Sequence, residues 1–191
     1  MKENRQEGGV PMAKQEEDII QYMVQRKWAE DHKLSRRRYL VRLARESRND
    51  PDIASKIGSM LIWNQVIEQM LKDIVDTSIC FIKVRIWPVS VSLQLDLDGA
   101  TFGKVIDYFK QYATVQEDRE EILTRLKKFN AKRNQVVHDL FDIGDLKRLG
   151  AELDEYASLA EETMVLLEKY DERVCDDFRE LERRVGLEKF Q

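Results

Sequence analysis

The sequence predicts an all-α protein, and three observations carry that prediction. Only three prolines and eight glycines interrupt 191 residues, so few positions are hostile to helix. Apolar residues recur at three- and four-residue steps over stretches far longer than a strand. Charged residues make up 36% of the chain, enough to cover the outward faces of long helices. One alternating segment near residues 89–97 stands apart and is predicted to be extended. The length suits one domain with a real core plus an extension.

Residues 1–11 are polar, with Gly8, Gly9 and Pro11, and read as a tail. A helical pattern starts at Met12 and carries Ile19, Ile20, Met23 and Trp28. Between Arg26 and Arg48 the chain is basic, with nine Lys or Arg against Glu30, Asp31 and Glu46. Tyr39, Leu40, Leu43 and Ala44 give this stretch an apolar edge, which predicts an amphipathic helix. Two readings stay open for its charge. It lies along a phosphate backbone through Arg36, Arg37 and Arg38, or it pairs with the acidic C-terminal region. His32 is read as a surface residue.

Asp50-Pro51 breaks the pattern and divides a basic helical extension, 1–50, from a helical domain, 51–191. A helix near 53–78 follows, marked by Ile57, Met60, Leu61, Ile67, Met70, Leu71, Ile74 and Val75. Asn64 falls on its apolar stripe and Glu68 on the shoulder, so both need buried partners. The alternation of Ile82 to Ile86 reads as a strand or as the end of that helix. Val89 to Leu97 alternates more clearly, with Pro88 between the two runs. Asp98-Gly99 makes a turn, and Thr101 caps a helix near 101–112 that carries Phe102, Val105, Ile106 and Phe109.

Thr114-Val115-Gln116-Glu117 has the form of a capping box and predicts a helix over 115–142. Its first turns are acidic and its last are basic, as the helix dipole favours. Gly144 reads as its terminator. From Asp145 a near-heptad pattern runs through Leu146, Leu149, Leu153, Tyr156, Ala160, Thr163, Leu167, Tyr170 and Val174. It then slips by a four-residue step to Phe178, Leu181 and Val185. Residues 152–191 hold thirteen acids against six bases. The bundle is therefore expected from helices near 53–78, 101–112, 115–142 and 145–172, with an acidic helical continuation.

Several function classes are disfavoured at this point. A net charge of −4 exerts no global pull on nucleic acid, so any such contact has to be local. Cys80 and Cys175 are too few and too far apart for a disulfide framework or a metal site, and no cofactor is expected. The N-terminus M-K-E-N-R-Q-E lacks the apolar core of a signal peptide, and no run of eighteen apolar residues occurs. A cytoplasmic protein without a membrane span is expected.

The chemistry-bearing stretch is Phe129 to Phe141, F-N-A-K-R-N-Q-V-V-H-D-L-F. A 3.6-residue period through Ile122, Leu126, Phe129 and Leu140 passes through Arg133, where a guanidinium requires a partner or a polar cavity. Asn64 and Glu68 are the candidates to hold it. Asn134 and His138 are four apart and sit one above the other on the adjoining face. Lys128 and Lys132 add a basic cluster where a phosphate would lie.

This cluster resembles the Arg-x(4–6)-His motif of the HEPN superfamily, all-helical ribonucleases and nucleic-acid-linked domains. Four residues separate Arg133 from His138, and Asn134 is the polar residue that family carries directly after its arginine. The resemblance covers residues 51 onward. It implies a HEPN-like bundle that forms a homodimer, with two motif helices facing each other so that two arginines and two histidines line one cleft. It further implies a metal-independent endoribonuclease that uses the RNA 2′-hydroxyl as nucleophile. Arg133, Asn134 and His138 would be catalytic, with Lys128 and Lys132 on the RNA beside them; Arg36, Arg37 and Arg38 lie outside the resemblance and would contact RNA through the charge of their own segment. The expected context is a toxin–antitoxin pair or phage defence, with tRNA among the substrates and an antitoxin or defence-system protein as partner. The alternative is a catalytically inactive dimeric scaffold, or a module that binds nucleotides or partner proteins.

Overall fold

Long apolar stripes need long partners, and two such stripes find each other in a computed structural model of the chain. The structure describes residues 34, 37–42, 44, 45, 52–86, 95–142 and 146–185. Residues 37–42, 44 and 45 are helical, and beyond them the described residues form α1 (Ile53–Arg85), α2 (Phe102–Tyr112), α3 (Arg119–Asp142) and α4 (Leu146–Val185). No strand occurs among the described residues, so the all-α class holds.

α1 and α4 run in the same direction along one another. A Cβ placed on Gly150 would meet Ile53 Cδ1 at 3.3 Å, so the helices approach closely there. Further along, Lys56 Nζ bonds Asp154 at 2.7 Å, and Asp73 and Asp171 share Arg37. α1 buries Met60, Trp63, Ile67, Met70, Leu71 and Ile74 against the stripe of Leu153, Tyr156, Ala160, Leu167 and Tyr170. α4 is one helix of 40 residues, which at 1.5 Å per residue is about 60 Å long. It continues unbroken through the four-residue slip in its pattern.

α3 lies antiparallel to α4, as a short connection between helices favours. The pairs descend one helix as they climb the other. Lys132 meets Glu152 and Glu155, Arg125 meets Glu162, and Asp118 meets Arg173. α2 packs beneath with Phe102, Val105, Ile106 and Phe109 inward. Its cap is the expected one, Thr101 Oγ1 accepting from the Lys104 N–H at 3.4 Å.

The described part of the basic N-terminal stretch is seated on this core. Val41 and Ala44 belong to the buried cluster, and the Ala44 carbonyl accepts from Ser59 Oγ at 2.8 Å. Arg45 Nε pairs with Glu161 at 2.9 Å, and Arg37 reaches Asp73 at 3.3 Å and Asp171 at 3.4 Å. Of the two readings of this charge, pairing with the acidic C-terminal helix is the one realised at Arg37 and Arg45. The remainder of the stretch lies outside the described residues.

One open reading of an element is decided and one expectation changes. Of the two readings of Ile82 to Ile86, the helical one is realised: Ile82 to Arg85 complete α1 and Ile86 is its C-cap, because a helix satisfies its own backbone groups where a strand would need a neighbour. Of the extended segment near 89–97, residues 89–94 lie outside the described residues. Residues 95–97 have no regular structure, although Leu95 and Leu97 turn toward the core and Asp96 outward. Gly144 also lies outside the described residues.

The capping box is the expectation that changes. α3 begins at Arg119, four residues beyond its expected start, after a turn in which Asp118 has φ 60°. The Val115 carbonyl accepts from the Tyr170 hydroxyl at 2.7 Å, and its side chain packs against the core. That contact with α4 holds residues 113–116 as a loop, leaving the Thr114 hydroxyl buried without a partner.

Candidate functional site

The site lies in the second half of α3, where a helix rich in charge crosses the aromatic centre of the bundle. Phe129 and Val136 are fully buried, and Arg133 falls between them on the same stripe. The arginine is half-buried. Its Cζ stands 5.9 Å from the centroid of the Phe102 ring, within cation–π range. Among the described residues it has no carboxylate partner.

Asn64 and Glu68, the candidates to hold Arg133, are engaged elsewhere. Asn64 Oδ1 accepts from the Tyr156 hydroxyl at 2.6 Å, and Glu68 pairs with Lys72 one turn away at 3.0 Å. Tyr156 is fully buried, and burial pushes its phenol far above the usual range despite the opposing charge of Arg133. The arginine therefore sits over Phe102, near enough to Tyr156 for its charge to act on the phenol. Phe102 meets Phe129 edge-on at 5.8 Å, and Phe129 leans on Tyr156 at 5.2 Å.

Asn134 and His138 are exposed and share one side of α3. Arg133 and His138, five residues apart, point about 140° away from each other around the helix axis. One protomer thus does not turn both side chains into the same cleft. Val137, beside His138, is an exposed apolar residue.

The cations expected to flank the site separate into two groups. Lys128 and Arg38 are exposed. Lys132 and Arg37 are turned inward. Lys132 Nζ pairs with Glu152 at 2.5 Å and with Glu155, and its own side chain is only 12% exposed. Burial disfavours its charge, but the two carboxylates outweigh that and hold its pKa above the ordinary lysine value. The same contact, helped by Lys128, holds the Glu155 carboxyl below its usual range. Arg36 lies outside the described residues.

Phe102 and Tyr156 escaped the sequence reading as parts of this site, because both fit core stripes and stripes carry no sign of what lies across from them. The signal for Tyr156 was its hydroxyl, which must find an acceptor once buried. The signal for Lys132 was the pair Glu152 and Glu155, three apart on one helix face.

Among the described residues no group of three or more His, Cys, Asp or Glu is arranged to hold a metal ion, and no helix is long and apolar enough to cross a membrane. Compared with known proteins, the chain matches no family model, no curated protein and no solved structure.

Proposed function

We propose that the chain is a metal-independent endoribonuclease of the HEPN kind, acting as a homodimer whose site is built from the second half of α3. One observation carries the reading: Arg133 is set into the core stripe with no carboxylate partner among the described residues. Most arginines at such a position neutralise an internal acid. This one keeps its donors for something else, and a phosphate suits a planar, permanently charged fork.

The divergence of Arg133 and His138 on one helix asks for a second copy. In a two-fold pair of α3 helices, the arginine of one protomer and the histidine of its partner would face a common strand of RNA. His138 would take the proton from the 2′-hydroxyl as that oxygen attacks the adjacent phosphorus. The P–O5′ bond breaks, and the leaving oxygen takes a proton from water. Arg133 would hold the extra negative charge that builds on the phosphoryl oxygens, with Asn134 donating beside it. A toxin–antitoxin or phage-defence setting, with tRNA among the targets, belongs to the same proposal.

A second reading has its own observation. Lys132 and Arg37, two of the five cations expected on RNA, are paired with acids of the chain itself. A dimeric scaffold lacking activity accounts for that equally. Incubating the purified protein with total RNA in EDTA, beside His138→Ala, separates the two. Products ending in 2′,3′-cyclic phosphate and 5′-hydroxyl, absent with the variant, support the ribonuclease. Cleavage that needs Mg²⁺, leaves a 5′-phosphate or survives the substitution sinks it. No cleavage of any RNA turns the conclusion to the scaffold.

A further inference from the structure

The structure assigns a role to Phe102: it is the positioning residue for Arg133, its ring face holding the guanidinium clear of carboxylates and open to an anion. This rests on the reading that Arg133 meets a phosphate. Phe102 is the first residue of α2, 3% exposed, and its place is fixed from two sides. Thr101 caps the helix just before it, and Phe129 meets its ring edge-on at 5.8 Å. The ring is therefore a rigid platform, supplied by a different helix from the one that carries the arginine.

A guanidinium has two ways to rest in a half-apolar setting. It can bond a carboxylate through its N–H fork, or lie against an aromatic face that attracts its charge and leaves the in-plane N–H groups unused. Arg133 does not take the first way among the described residues. Glu152 and Glu155 are occupied by Lys132, Glu68 by Lys72, and Asn64 by Tyr156. Only the second way is taken, at 5.9 Å from the Phe102 centroid. A leucine at 102 would keep much of the apolar volume but would remove the attraction, and the long side chain would be free to swing.

The full-length protein tests this without depending on catalysis. The Arg133 side-chain resonances, assigned by their loss in Arg133→Lys, should lie upfield of ordinary arginine because of the ring current. Phe102→Leu should return them to ordinary positions, and Phe102→Tyr, which keeps the ring, should not. Binding of a single-stranded RNA oligonucleotide in EDTA should weaken about two- to fivefold in Phe102→Leu, the size of a lost cation–π contact, and stay near wild type in Phe102→Tyr. Ordinary Arg133 shifts in the wild type would overturn the assignment before any variant is made. So would a Phe102→Leu protein that binds RNA as tightly as wild type. Wild-type protein with the upfield shift that binds neither the oligonucleotide nor inorganic phosphate overturns the positioning role. Binding without cleavage sinks the ribonuclease but leaves Phe102 in its role.

Discussion

Tyr156 donates its hydroxyl to Asn64 at 2.6 Å, joining α4 to α1 in the middle of the bundle. The bond satisfies a fully buried phenol, and it occupies the amide that stood as a partner for Arg133. Asn64→Leu should strand the hydroxyl and cost about 1–3 kcal/mol, whereas Tyr156→Phe should cost about 1 kcal/mol. The double variant should lose less than the two single losses combined. Urea unfolding of the four proteins measures this, and additive losses would mean that the bond is not made.

Arg133→Ala should change stability by no more than about 1 kcal/mol, because it removes an aromatic contact and leaves no buried acid unpaired. His138→Ala, at an exposed position, should stay within about 0.5 kcal/mol. Both should nevertheless lose RNA cleavage, on the order of 10²-fold or more. A drop of several kcal/mol in Arg133→Ala alone would reveal a counter-charge and make the arginine structural.

The Lys132 triad gives stability a defined pH window. The lysine pKa is raised on folding, so its contribution is full below the ordinary lysine value and disappears as pH climbs through the raised one. The Glu155 pKa is lowered, so its contribution is full above the ordinary carboxylate value and disappears as pH falls through the lowered one. Lys132→Met should therefore lose less stability between pH 7 and pH 3 than wild type does. Denaturant midpoints at the two pH values decide it, and parallel losses would remove the triad from the account.

Arg37 bridges Asp73 and Asp171 with its own side chain and that of Asp73 each 14% exposed. Arg37→Met should cost about 1–3 kcal/mol, between the values of surface and buried pairs. Arg38→Ala, one residue on and exposed, should cost almost nothing. Thermal melts at low and high salt test the contrast. A Tm for Arg37→Met equal to wild type would return that arginine to the list of RNA contacts.

Much of this architecture was legible from spacing. The stripes through Met60, Ile67, Met70 and Ile74, and through Leu149, Leu153, Tyr156 and Leu167, announced α1 and α4, and Thr101 announced the start of α2. So was the placement of Arg133 between Phe129 and Val136, where a strict 3.6-residue period put a cation among buried side chains. Thr114 to Glu117 shows where local pattern misleads. The four residues spell a cap, but the Tyr170 hydroxyl, 55 positions away, claims the Val115 carbonyl and holds the segment as a loop.

Helix type, helix faces and the odd polar residue on an apolar face follow from neighbours three or four positions apart, and these the chain carries locally. Which acid meets which base does not. Lys132 could have served a phosphate and Asn64 an arginine, and each would have been chemically sound. The antiparallel register of α3 on α4 set Lys132 against Glu152 and Glu155, and the parallel course of α1 on α4 brought Asn64 under Tyr156. Arg133 is left on Phe102, a ring supplied by another helix, while Asn64 is bonded by Tyr156, 92 positions away. Hydrogen bonds and ion pairs reach only a few ångströms, so helix packing selects their partners, and no period along one helix encodes that choice.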